Sequence, residues 1–162
     1  MTTRSRIGIL LADDTVLSVY HHYDGYPEWL GVKLRKNYTI KEKISDLLNG
    51  GDISCIESDQ DWNREKVNIH VKYYNERGED TEPRLDLSLA DYLNNGEEYA
   101  YLFTDEDEWI CYNLQDPKYI HQINIPEVNV EELISAWLKL EGNLNIPFFF
   151  CSFSNLANAL FS

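Results

Sequence analysis

Basic residues are what this sequence most lacks. Fourteen Lys and Arg stand against 28 Asp and Glu, a formal net charge of -14. Affinity for a phosphate backbone comes mainly from Lys and Arg displacing counterions, so direct DNA or RNA binding is disfavoured. Cysteine is scarce too. Cys55, Cys111 and Cys151 are odd in number, far apart and share no C-x-x-C spacing, and they read as reduced, mostly buried thiols of a cytosolic protein. No basic-then-apolar run opens the chain as a signal peptide would, and the longest apolar patch, residues 146–150, is far too short to span a bilayer. A soluble protein with no membrane partner is expected. P-loop, G-x-G-x-x-G, H-E-x-x-H, G-x-S-x-G and EF-hand patterns are also missing. Those enzyme classes lose support, no cofactor or metal is expected, and binding is favoured over catalysis.

What is present suffices for a core. Hydrophobic residues make up 43% of the 162 and aromatics 13%, enough to fold without disulfides or a structural metal and to argue against disorder. The acidity is uneven. Residues 1–49 hold seven basic and six acidic side chains, whereas residues 78–110 carry eleven carboxylates and one basic residue, Arg84. Such a field favours proteins with basic surfaces, among them proteins that handle nucleic acid, although net charge also simply keeps a protein soluble.

No 20 to 50 residue repeat and no Gly/Ser/Pro linker divides the chain, so one domain over 1–162 is expected. Residues 6–12 and 16–23 are β-rich around the short polar Asp13-Asp14-Thr15, which predicts a hairpin. Asp24-Gly25 turns the chain, Pro27 opens a first helix over 27–37, and Thr39 caps a second in which Ile40, Ile44, Leu47 and Leu48 share a face before Gly50-Gly51. Val67, Ile69 and Val71 alternate with polar residues as a half-buried strand does. Ser88 with Asp91 predicts a capped short helix over 89–93. Segments 99–103 and 109–112 then flank the acidic turn 104–108 as a second hairpin, and 119–123 adds an edge strand. Asn129 with Glu132 opens a later helix carrying Leu133, Ile134, Trp137 and Leu138, and a Phe-rich tail follows that docks on the core or pairs two copies. The expected fold is α+β: a mainly antiparallel sheet of hairpins with three to four helices packed on it.

The stretch H-H-Y-D-G-Y-P, His21 to Pro27, holds the densest concentration of chemistry-bearing residues. In a strand, His21 and Tyr23 share the face of Leu17 and Val19, while His22 and Asp24 fall opposite with Tyr20. The two histidines diverge, whereas a metal site needs convergence. Strand end plus turn is therefore the favoured reading, with an enzyme using His21, His22 or Asp24 as a weaker alternative. Arg4 and Arg6 beside the first strand could hold an anion, and Tyr20, His22, Asp24, Tyr26 and Trp29 could complete a small-molecule or nucleotide site.

The segments T-R-S-R-I-G-I-L, Y-H-H-Y-D-G-Y-P-E-W-L-G, G-D-I-S, N-E-R-G-E-D, and G-E-E-Y-A-Y-L-F with W-I-C-Y, in order from Thr3 to Tyr112, resemble a family of small proteins encoded by tailed bacteriophages and prophages. The family-like part is 1–113; 114–162, with the C-terminal helix and tail, departs from it. No catalytic residue is carried over. The resemblance implies an accessory protein in the cytoplasm of an infected bacterium, binding and inhibiting or redirecting a host protein in counter-defence or host takeover. On this expectation Asp105, Glu106, Asp107 and Glu108 contact the basic, nucleic-acid-binding surface of that host protein, with Tyr99, Tyr101 and Trp109 as anchors.

Overall fold

The computed structural model describes residues 2–58 and 68–127. Eight strands form one mixed sheet in the order β4-β3-β2-β1-β6-β7-β8, with β5 also beside β2. The strands are β1 Ser5–Leu10, β2 Val16–His21, β3 Ile53–Ser58, β4 Ile69–Tyr73, β5 Arg84–Asp86, β6 Tyr99–Phe103, β7 Trp109–Asn113 and β8 His121–Ile123. With the helices α1 Val32–Asn37, α2 Lys41–Asn49 and α3 Leu89–Leu93, this is the expected α+β class.

Both hairpins form where local chemistry places them. β1 pairs antiparallel with β2 from Leu10↔Val16 to Ser5↔His21, closed by Asp13, whose carboxylate accepts the Thr15 N–H and hydroxyl. The β6–β7 pair closes over residues 104–108. Most neighbours are antiparallel, but two parallel joins are not readable locally. β1 lies parallel to β6, and β2 lies parallel to β3 across the crossover that carries α1 and α2. The outer edge of β2 is thus shared: β5 pairs with Val16 to Ser18, and β3 meets it at His21.

The first helical segment begins at Pro27, as its fixed φ favours, but as a π-helical turn, Pro27–Gly31, running into α1. Ile44, Leu47 and Leu48 of α2 are buried as expected. Thr39 is not its cap. Ile40 holds that position with no side-chain cap bond, and its side chain is exposed. Ser88 does cap α3, accepting the Asp91 N–H at 3.1 Å. Strands β3 and β5 add to the elements expected. Val67, Cys151, the helix expected after Asn129 and the Phe-rich tail lie outside the described residues.

The sheet buries its faces differently. On the first, Ile7, Ile9, Val19, Tyr101 and Phe103 pack with Leu30, Leu34, Ile44, Leu47 and Leu48 from the helical side. On the second, Val16, Ala100, Leu102, Tyr112 and Leu114 close around Tyr92 of α3. The Tyr92 hydroxyl donates to the carbonyls of Tyr101 (2.7 Å) and Arg6 (3.2 Å), and a Cβ at Gly8 would lie 2.9 Å from its ring. Glycine at position 8 is what lets that ring lie on β1.

Candidate functional site

The acidic hairpin tip is fixed by its backbone. Thr104 N–H donates to the Glu108 carbonyl at 2.9 Å and Asp107 N–H to the Thr104 carbonyl at 3.1 Å, with Asp107 at φ 58. Asp105, Glu106, Asp107 and Glu108 are all exposed, and none of their carboxylates takes part in an ion pair among the described residues. Beside them opens a cavity of about 270 Å³ lined by Arg35, Thr39, Phe103, Asp107, Glu108 and Trp109. Arg35 donates to the Ile125 and Pro126 carbonyls, so its donors point at backbone. The half-buried Trp109 ring is held by its Nε1–H, which donates to the Tyr38 carbonyl at 2.8 Å, and by edge contact with Phe103 at 5.3 Å.

Of the aromatic anchors expected here, Trp109 borders the tip. Tyr99 is half-buried at the far end of β6, its hydroxyl accepting from Gln115 Nε2 at 3.0 Å. Tyr101 is not such an anchor. It is 0% exposed, faces the first core and donates its hydroxyl to the Gly25 carbonyl at 2.7 Å, so it has no surface to offer a partner. Strand parity explains this, since Tyr99, Tyr101 and Phe103 share one face and the helices cover its centre.

The residues of the small-ligand alternative are split by the fold. Trp29 and Tyr26 are buried, with the Lys33 ammonium 3.8 Å from the Trp29 ring centre. Asp24 is 1% exposed and sits past the strand at φ 56, so it does not continue the face of His22. Arg6 is buried and donates to the Ser18 hydroxyl (3.0 Å) and carbonyl (3.2 Å); burial, then the nearby charge of Arg84, lowers its pKa. These four, Arg6, Asp24, Tyr26 and Trp29, are interior positions and leave the candidate ligand site.

The two histidines diverge as strand parity requires. His21 is 1% exposed, shares a 3.3 Å hydrogen bond with Ser5 Oγ, and leaves Nε2 without a hydrogen-bond partner among the described residues. Burial, then the charge of Lys33, pushes its pKa down to about 3, so it is neutral at physiological pH. His22 lies on the second face and shares a 2.5 Å hydrogen bond with the Tyr20 hydroxyl. There it meets Tyr23 edge-on at 4.5 Å and Tyr74 at 6.3 Å, and Tyr20 meets Tyr74 at 6.5 Å. Tyr74 opens a 3-10 turn, Tyr74–Arg77, and the Arg77 guanidinium lies 5.8 Å from its ring centre. Tyr74 and Arg77 were not expected here, because only the β2–β3–β4 pairing brings them to His22.

Among the described residues no group of three or more His, Cys, Asp or Glu is placed to hold a metal ion. The Cys111 thiol is buried and pushed up to about 12 by desolvation, and Cys55 is buried as well. No described helix is long and apolar enough to cross a membrane. Searches with this chain find no matching family model, no matching curated protein and no matching solved structure.

Proposed function

We propose that the protein acts by binding a basic protein partner through the β6–β7 hairpin tip. One observation carries the reading: four exposed carboxylates, in no ion pair with any described residue, stand on a hydrogen-bonded turn beside a cavity bordered by Trp109. Unpaired carboxylates steer a basic surface during encounter, because their field reaches roughly a Debye length, about 8–10 Å at moderate salt. A half-buried indole beside a cavity supplies the apolar anchor that charge alone lacks, and Trp is enriched among residues that dominate binding energy. In the setting implied by the phage resemblance, the partner is a host protein whose basic, nucleic-acid-binding groove is occluded.

The test is capture of partners from bacterial lysate at low and high salt, comparing wild type with a variant carrying Asp105→Lys, Glu106→Lys, Asp107→Lys and Glu108→Lys. A salt-sensitive host protein retained by wild type and lost by the variant is the expected result, with purified-component association slowed at least tenfold. Equal capture by both proteins would discard the hairpin tip as the contact.

A further inference from the structure

A different corner of the molecule has the makings of a small-ligand site. On the second face, Tyr20 and His22 of the β2 end, Tyr23 beyond it and Tyr74 after β4 bring four rings together, with no residue of α1, α2 or α3 among them. The 2.5 Å Tyr20–His22 hydrogen bond fixes two of those rings against each other. Burial, then the Glu97 charge, pushes the Tyr20 pKa up to about 12, so the hydroxyl stays protonated. Two exposed guanidiniums serve the cluster. Arg77 lies over Tyr74, and Arg4 precedes Ser5, whose partner in the β1–β2 register is His21, which places Arg4 next to His22. Desolvation, then the charges of Arg4 and Arg77, lowers the His22 pKa, as two cations within electrostatic reach of the imidazole would. Neither arginine forms an ion pair with a described residue.

We infer that this corner binds a nucleoside monophosphate, the base stacking on the Tyr20–His22–Tyr74 rings and the phosphate held by Arg4 and Arg77. Aromatic faces stack any base, and guanidiniums pair with phosphate oxygens through two parallel N–H donors. Charge selects the class further. A phosphomonoester carries about -1.5 to -2 at neutral pH, which two arginines match. Longer phosphate chains meet nearby negative charge: Asp52 lies beside Tyr20, its Oδ1 accepting the Tyr20 N–H at 3.0 Å, and Glu97 and Glu79 are within electrostatic reach of Tyr20 and Tyr74. A nucleic-acid strand is disfavoured for the same reason, since the whole chain carries -14.

The experiment is isothermal titration of the full chain with adenosine and uridine monophosphates, alongside adenosine, inorganic phosphate and a single-stranded octanucleotide. Expected is saturable binding of at least one monophosphate, tenfold or more tighter than adenosine or phosphate alone. An Arg4→Gln/Arg77→Gln double variant should weaken it at least tenfold at unchanged melting temperature, because both side chains are exposed. An Arg4→Lys/Arg77→Lys pair should recover part of the loss. Silence with both monophosphates, undiminished binding by the Gln pair, or an octanucleotide that binds as tightly as a monophosphate would each overturn the assignment. The hairpin-tip lysine variant should bind the monophosphate as wild type does, so this site and the partner-binding surface stand or fall separately.

Discussion

The two faces of the sheet are closed by different means. The first packs two helices and a π-helical turn onto the strands, with many apolar side chains sharing the burial. The second is closed in one half by a five-residue helix, whose Tyr92 reaches two strand carbonyls, and in the other half presents half-buried rings and exposed arginines. A face crowded with apolar side chains leaves recognition only its rim, where Trp109 borders the cavity. The face secured by one anchoring side chain leaves strand positions over for it.

The first face should not tolerate truncation. Leu34→Ala, at a fully buried position, should lower unfolding free energy by about 2–5 kcal/mol in urea titrations. A loss below 1 kcal/mol would mean that the first core is not the main apolar store. Tyr92→Phe sharpens the contrast, because it keeps the ring over Gly8 and removes only the donor to the two carbonyls. A loss of about 1–3 kcal/mol is expected, and no loss would show that the ring alone secures the second face.

The two histidines should respond differently to pH. The folded-state pKa of His21 lies at about 3, below the ordinary value of 6.5, so between those values the unfolded chain binds a proton that the folded chain does not. The His21 contribution is therefore intact above pH 6.5 and declines as pH falls toward 3, with a slope approaching about 1.4 kcal/mol per pH unit. Comparing His21→Gln with wild type across pH 4 to 7 isolates that slope. The corresponding His22→Gln comparison should give a shallower one, since His22 is only partly buried.

Much of the fold was legible because its signals are local. The Asp13 turn, the Ser88 cap, the α2 stripe and both hairpins each sit within a few residues of the chemistry that causes them. β3 escaped notice because I-S-C-I-E-S carries a bulge between Ile53 and Cys55 instead of clean alternation, and β5 because three residues carry no period. The sites were less legible. The acidic tip is contiguous and readable, and the burial of Tyr101 could have been read from its parity with Tyr99 and Phe103. The burial of Arg6 and Trp29 depends on strand and helix packing across the sheet. The meeting of His22 with Tyr74 and Arg77 depends on two strand pairings, which no local pattern encodes.

The parallel join of β1 to β6 aligns Ser5 with Tyr99 and Ile9 with Phe103. Each hairpin can zip from its own turn, but their union must close a loop spanning most of the described chain, an entropic cost paid before any contact rewards it. During synthesis the N-terminal hairpin therefore leaves the ribosome with both edges open, and the β1 edge waits for residues 99–103 before it is covered. Among the described strands no other pairing joins segments so far apart in the chain.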